Sequence, residues 1–197
     1  MKNIELKVKI DDFKEIKSLL KKMEARHVGE MYQKDTYFNC KNGRLKIRNI
    51  NNKRFELILY KRPDKINEKI SDYEIFPIKP EEIDSVQSSM NKRFGERIII
   101  EKIRDLWIFR NTRIHLDEVA SLGSFLELET VVENRDFKKM KTEFNKVFDL
   151  LDLEYFKKYS NSYSDLLSEK SKTNFKKFVK FDQSILVELF THASKPA

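Results

Sequence analysis

The segment Asn3-Ile4-Glu5-Leu6-Lys7-Val8-Lys9-Ile10 alternates polar and apolar side chains at every position. Successive side chains of a β-strand point to opposite faces, so this alternation predicts a strand with one polar face and one apolar face. The polar face carries a carboxylate, Glu5, beside two lysines, Lys7 and Lys9. The segment therefore predicts a strand whose polar face has a mixed and unusually dense charge.

The same period of two recurs along the chain as far as Val132. It predicts further strands at Met31–Asn39, Arg44–Asn49, Phe55–Lys61, Ile70–Ile78, Arg97–Arg104, Thr112–Asp117 and Ser124–Val132. Apolar residues at helical spacing, next to helix-start signals, predict helices at Asp11–Ala25, Pro80–Asn91 and Asp136–Leu150.

The polar faces of these strands sort into cationic strands and acidic strands. Arg44, Lys46 and Arg48 share one face, whereas Glu127 and Glu129 share one face of another strand. A single strand of this kind usually turns its charged face to water. Several such strands are better explained by an α+β fold, in which a closed antiparallel barrel encloses the charges and helices pack on its apolar outside. Closure also removes the exposed sheet edges.

Charges inside a barrel are costly unless they are paired or bind a ligand. The predicted interior carboxylates, Glu5, Asp117, Glu127 and Glu129, are outnumbered by cations. Those cations are Lys7, Arg44, Lys46, Arg48, Lys61, Arg62, Lys102, Arg104 and Arg113. A triphosphate would supply the missing negative charge, and arginine can bind phosphate through two parallel hydrogen bonds. Carboxylates are ligands that a hard cation such as Mg²⁺ or Mn²⁺ prefers.

Composition limits the class of protein and its partners. The chain has 197 residues, is 37% charged and carries a net charge of +8, which favours an acidic partner. A small polyphosphate is preferred to nucleic acid because the cations are predicted to lie inside the barrel. The sequence lacks an apolar run long enough for a membrane span, and its single cysteine, Cys40, cannot form an internal disulfide. We expect a cytoplasmic protein with no membrane partner.

Several motifs together resemble those of the CYTH superfamily, the triphosphate tunnel metalloenzymes. Asn3-Ile4-Glu5-Leu6-Lys7 resembles the family's Glu-x-Glu-x-Lys signature. Further similar segments follow in order at Gln33–Phe38, Gly43–Arg48, Leu59–Pro63, Glu101–Arg104, Arg113–Asp117 and Leu122–Glu129. Ser162–Leu167 resembles the closing element of the class IV adenylate cyclase branch. The resemblance predicts a tunnel domain over residues 1–168, followed by an extension at 169–197 that contains an amphipathic segment, Phe178–Phe190.

The resemblance implies an eight-stranded antiparallel tunnel and catalysis with Mg²⁺ or Mn²⁺. By position it implies that Glu5, Glu127 and Glu129 hold the metal, and that Lys7, Asp117 and Glu129 are catalytic. It also implies that the substrate is bound by Arg44, Lys46, Arg48, Lys61, Arg62, Lys102, Arg104, Arg113 and His115.

The chain departs from the family signature at Asn3, where the first glutamate would stand. Asparagine offers an oxygen but no charge, so a second metal would be held more weakly. This departure disfavours hydrolysis more than cyclisation, because a cyclase uses the ribose 3′-hydroxyl as its nucleophile.

The first functional hypothesis is therefore conversion of ATP to cyclic AMP and pyrophosphate by a class IV adenylate-cyclase-like enzyme. A triphosphatase acting on thiamine triphosphate, inorganic triphosphate or a nucleotide is the alternative. A non-catalytic phosphate- or RNA-binding module is a third hypothesis. The partner in the first two is a small triphosphate, and the sequence is also compatible with a homodimer.

Overall fold

The alternating segment at the start of the chain forms the first strand, β1. The computed structural model describes residues 2–41, 43–61, 69–132 and 136–171. Within these ranges the strands are β1 Lys2–Lys9, β2 Arg26–Phe38, β3 Arg44–Ile50, β4 Arg54–Lys61, β5 Lys69–Ile78, β6 Glu96–Phe109, β7 Thr112–Val119 and β8 Gly123–Val131. The predicted segment Phe178–Phe190 lies outside the described residues.

These strands form a closed antiparallel barrel in the order β1-β5-β4-β3-β2-β6-β7-β8. Strand β1 closes it, because it pairs with β8 from Asn3↔Val131 to Lys9↔Phe125 and with β5 from Lys2↔Asp72 to Glu5↔Lys69. The α+β fold with a closed eight-stranded barrel is thus confirmed.

Helices pack on the outside of the barrel. They are α1 Lys14–Lys22, α2 Ile83–Phe94, α3 Phe137–Leu150 and, in the described part of the chain, a fourth helix α4 at residues 163–171. Two short 3₁₀ turns occur at Pro80–Glu82 and Leu153–Tyr155. Among these described helices, none has the length and apolar content needed to cross a lipid bilayer.

The apolar outer faces of the strands are buried beneath the helices. Ile4 and Val8 of β1 pack with Leu20 of α1 and Phe144 of α3 in one cluster. Asp136 caps the N-terminus of helix α3, because its carboxylate accepts hydrogen bonds from backbone N–H groups of the first turn. Helix α2 covers a second cluster on the other side of the barrel. On β1, β3 and β8 the apolar face therefore faces outward, and the charged face is left to the interior.

Strand β2 begins five residues earlier than the predicted Met31, at Arg26. The reason is a bulge between His27 and Gly29 in its pairing with β6, which breaks the period-two pattern. Gly29 has φ +133°, a backbone conformation that L side chains rarely adopt. The sequence alternation therefore begins only after the bulge.

The segment that ends in α4 covers one end of the barrel. The backbone N–H of Tyr159 donates to the carbonyl of Lys7 at 2.8 Å. Tyr163 is 5% exposed and packs edge-on against Phe125, with the ring centroids 5.1 Å apart. Its hydroxyl donates to Asp117 Oδ2 at 3.0 Å. The sequence pattern predicts no helix here, because the segment is rich in serine and lysine.

Candidate active site

A cavity of about 350 Å³ lies inside the barrel. This volume falls within the range of small-molecule sites. Ten of the fourteen residues assigned to the site from the sequence line it: Glu5, Lys7, Lys46, Arg48, Lys102, Arg104, Arg113, His115, Glu127 and Glu129. The alternation of side chains along the strands therefore brings most of the predicted residues into one space.

Two adjacent strands build an acidic wall, formed by Glu5, Glu127 and Glu129. In the β1–β8 ladder Glu5 is directly opposite Glu129, and Lys7 is directly opposite Glu127. Side chains at paired positions lie on the same face of a sheet. The register of these two strands therefore places all three carboxylates and one lysine on the cavity side.

Each carboxylate of the acidic wall has a partner of its own. Glu127 lies 3.1 Å from Lys7 Nζ and 2.7 Å from Arg104 Nη2. Glu5 accepts a hydrogen bond from the Tyr73 hydroxyl, and Glu129 lies 3.4 Å from Arg113 Nη1. Burial opposes ionisation of Glu127, but the charge of Lys7 and its other partners outweigh burial and hold its pKa well below the usual range. Glu127 is therefore an ionised carboxylate inside the barrel.

The acidic wall fits a divalent cation by donor type. Carboxylate oxygens suit Mg²⁺ and Mn²⁺, and Asn3 adds a buried amide Oδ1 that has no hydrogen-bond partner in the described part of the chain. Across the described ranges, no group of three or more Asp, Glu, His or Cys side chains is gathered in a way that could hold a metal ion. Metal binding at this wall would thus require Glu5, Glu127 and Glu129 to exchange their present partners.

A cationic wall is anchored by two carboxylates, Asp35 and Asp117. Asp35 accepts from Arg48 Nε at 2.7 Å and Nη2 at 2.8 Å, and from Lys46 Nζ at 2.8 Å. Asp117 accepts from Arg104 Nε at 2.7 Å and Nη2 at 2.6 Å, and lies 3.3 Å from Lys102 Nζ. Each carboxylate thus fixes one arginine by two bonds and holds one lysine beside it.

Asp35 was missed by the sequence analysis, although it lines the cavity and is 2% exposed. Its signal was present, since it alternates with Met31, Gln33 and Tyr37 on one face of β2. Because that face mixes apolar, amide, acidic and phenolic groups, its pattern does not indicate a charged ligand-binding surface.

The charge of the lining is closer to balance than expected. Seven Lys or Arg and five Asp or Glu side chains line the cavity in the described part of the chain. Two of the predicted cations, Lys61 and Arg62, have side chains outside the described residues. Among the others, Arg44 does not line the cavity, and Asp35 and Glu56 add negative charge to the lining.

Two predicted site residues in the described part of the chain, Arg44 and Asp117, do not line the cavity. Arg44 Nη2 lies 2.8 Å from Asp165 of α4, and Arg97 Nη2 lies 3.0 Å from the same carboxylate. Asp117 is fully buried behind the wall that it anchors. The side chains of Lys61 and Arg62 lie outside the described residues. The Arg44 contact shows that this arginine fastens α4 to the barrel.

Aromatic side chains form a part of the lining that the sequence analysis also missed. Tyr60 and Tyr73 are stacked with ring centroids 5.3 Å apart. The lining tyrosines are Tyr37, Tyr60, Tyr73, Tyr159 and Tyr163. Nothing in a single sequence separates such residues from ordinary core aromatics. They give the cavity an apolar region beside its charged walls.

Lys46 provides a pH-dependent test of anion binding. Burial and the charge of Arg48 lower its pKa to about 7, although Asp35 acts in the opposite direction. A bound anion favours the protonated amine, so triphosphate binding near pH 8 should take up a proton, and affinity should fall as pH rises above about 7. Calorimetry in two buffers of different ionisation enthalpy measures this uptake. Lys46→Met should remove most of it, and uptake unchanged in that variant would contradict the assignment to Lys46.

The closed eight-stranded antiparallel barrel, with charged side chains inside it, is a tunnel fold. The sequence matches the CYTH domain over residues 1–163, and the chain belongs to this family. A Methanocaldococcus jannaschii protein named "putative adenylate cyclase" is 29% identical over 177 residues, which cover 84% of this chain and 98% of that protein.

Solved structures share the fold. A Pyrococcus horikoshii protein superposes with a TM-score of 0.71 at 24% identity, covering 83% of this chain and 98% of that one. A Hippeastrum protein, described as a "putative adenylyl cyclase" that "reveals a dominant" triphosphatase activity, superposes with a TM-score of 0.58 at 14% identity. That match covers 86% of this chain and 96% of the Hippeastrum chain.

Proposed function

We propose that this chain is a divalent-metal-dependent enzyme that binds ATP inside the barrel and converts it to cyclic AMP and pyrophosphate. The observation that carries the proposal is the single cavity in which the cations Arg48, Lys102 and Arg104 and the carboxylates Glu5 and Glu127 all line the wall. The cations suit the negative triphosphate, and the carboxylates suit the positive metal ion of a metal–triphosphate complex.

The cationic wall is suited to phosphate oxygens. A guanidinium carries five N–H donors, and Arg104 uses only those on Nε and Nη2 for Asp117 and Glu127. Asp117 touches Lys102 and Arg104 from behind the wall. We therefore assign Asp117 as a positioning residue, which keeps these two cations directed toward the substrate.

The acidic wall would hold the metal through Glu5, Glu127 and Glu129. A bound Mg²⁺ or Mn²⁺ ion stabilises the charge that develops on the phosphoryl oxygens. Lys7, beside Glu127, neutralises negative charge at the same wall.

Cyclisation forms a bond between the ribose 3′-oxygen and the α-phosphorus. It breaks the bond between the α-phosphorus and the oxygen that bridges the α- and β-phosphates. Pyrophosphate leaves, and we assign Glu129 as the acceptor of the hydroxyl proton.

The apolar region of the cavity supports a substrate with an organic group. Tyr37, Tyr60 and Ile58 line the same space as the charged walls. Inorganic triphosphate has no group that would use these surfaces, whereas a nucleotide has a flat base. This feature favours a nucleoside triphosphate.

A triphosphatase is the second candidate. The activity named in the description of the Hippeastrum structure favours it. The same cavity would bind the substrate, which could be thiamine triphosphate, inorganic triphosphate or a nucleotide, and water would replace the ribose hydroxyl as nucleophile. The two reactions differ in their products.

Asn3 offers a test that separates the two reactions. It is 2% exposed, lines the cavity and has an unpartnered Oδ1. In Asn3→Glu, a carboxylate strengthens metal binding at this position, and a metal lowers the pKa of coordinated water. We expect a higher ratio of hydrolysed to cyclised ATP than in the wild type, measured by mass spectrometry of the products in Mn²⁺.

Wild-type products decide the proposal in the same experiment. Cyclic AMP and pyrophosphate in equal amounts would support cyclisation. Efficient release of phosphate from ATP by the wild-type protein, without cyclic product, would reject it in favour of the triphosphatase.

A further inference from the structure

Gln33 of β2 carries a buried polar atom to which the reaction above assigns no role. The residue is 3% exposed and lines the cavity. Its Nε2 donates to Met31 Sδ at 3.3 Å, and its Oε1 has no hydrogen-bond partner among the described residues. A buried acceptor without a partner is destabilising and uncommon in folded proteins. Such an atom in a ligand cavity indicates a missing donor.

The neighbours of Gln33 indicate what kind of ligand supplies that donor. The next cavity-facing residue on β2, Asp35, is fully engaged with Lys46 and Arg48. In the other direction lies Met31, and Gln33 is paired with the apolar Ile50 on β3 and with Lys102 of the cationic wall on β6. Gln33 therefore lies at the boundary between the charged wall and the apolar side chains of the lining. A ligand that is anionic at one end and flat and apolar at the other fits this boundary.

We propose that Gln33 recognises the base of the bound nucleotide, with Oε1 accepting a hydrogen bond from the exocyclic amino group of adenine. This inference rests on the proposed function, in which ATP occupies the cavity. Glutamine amides pair with adenine through its amino group and an adjacent ring nitrogen. Hypoxanthine and guanine carry a carbonyl oxygen in place of that amino group, so two acceptors would face each other. Gln33 therefore selects adenine over these bases.

Equilibrium binding separates base recognition from phosphate binding. The experiment measures affinities for ATP, ITP and inorganic tripolyphosphate, with Mn²⁺ present, for the wild type and for Gln33→Leu. We expect Gln33→Leu to weaken ATP binding by about tenfold, the effect of one lost hydrogen bond to a buried group. Binding of tripolyphosphate should stay within about twofold and binding of ITP should not weaken, so the preference for ATP over ITP disappears. Gln87→Leu, on the exposed surface of α2, is the matched control and should change none of the three.

The three ligands distinguish the ways in which the inference could fail. Unchanged ATP binding in Gln33→Leu, or an equal loss for ATP and ITP, would overturn base recognition while leaving the phosphate site intact. Loss of tripolyphosphate binding in the variant would show that Gln33 maintains the structure of the barrel rather than contacting the base. Absence of tripolyphosphate and ATP binding in the wild type would reject the proposed function itself, and the inference with it.

Discussion

Glu127→Gln is expected to lower turnover by about 100-fold or more. Mutation of a residue that only hydrogen-bonds to a metal ligand already lowers metal affinity or activity by about 10- to 100-fold. The substitution removes a charged donor from the acidic wall. It also weakens the contacts to Lys7 at 3.1 Å and Arg104 at 2.7 Å, which depend on the negative charge. The measurement is the initial rate of ATP conversion in saturating Mn²⁺.

A matched substitution controls for the change of glutamate to glutamine. Glu101 accepts a hydrogen bond from the Tyr32 hydroxyl at 2.8 Å and does not line the cavity. Glu101→Gln should therefore retain wild-type turnover. If Glu127→Gln keeps a rate close to that of this control at every Mn²⁺ concentration, Glu127 is not a principal metal ligand.

Asp117→Asn should lower the free energy of unfolding more than any other substitution described above. The side chain is fully buried and holds both Arg104 and Lys102. Removing one partner of a buried ion pair leaves an uncompensated charge, at a cost of about 3–5 kcal/mol in the free energy of unfolding. Urea denaturation measures this change. Asp149→Asn, at an exposed position on α3, is the control and should be close to neutral.

The pH dependence of stability gives the same prediction a second readout. Burial opposes ionisation of Asp117, but Arg104 and Lys102 outweigh it and lower the pKa to about 2 from 3.8. Because the folded pKa is the lower one, the stabilisation is present above pH 3.8 and is lost as pH falls toward about 2. Asp117→Asn should lack this component of acid sensitivity. A variant as stable as the wild type and equally sensitive to acid would contradict the anchoring role.

The barrel could be predicted because alternation alone decides which side chains share a face of a strand. The segment from Asn3 to Ile10 has no ambiguity in this respect, and its polar side chains lie on the same face as Glu127 and Glu129 in the observed pairing with β8. Sorting of charge between strands then indicated an interior rather than a solvent-facing surface. These are local properties of the sequence, and no long-range information was needed.

Partner choice inside the barrel could not be predicted. The alternation places Arg44 and Arg48 on the same face of β3, yet Arg48 binds Asp35 and Arg44 binds Asp165 of α4. That difference depends on where α4 packs against the barrel. The local sequence pattern does not specify this position. Asp117 was expected to be catalytic, and its position behind Lys102 and Arg104 likewise could not be read from the local pattern.

The position of a bound metal–triphosphate complex tests the central claim most directly. The measurement is a crystal structure of the protein with Mn²⁺ and an ATP analogue that cannot react, with manganese located by its anomalous scattering. We predict manganese beside Glu5 and Glu127, with phosphate oxygens in contact with Lys102 and Arg104. An analogue bound on the outer surface of the barrel, or manganese located away from the acidic wall, would contradict the account.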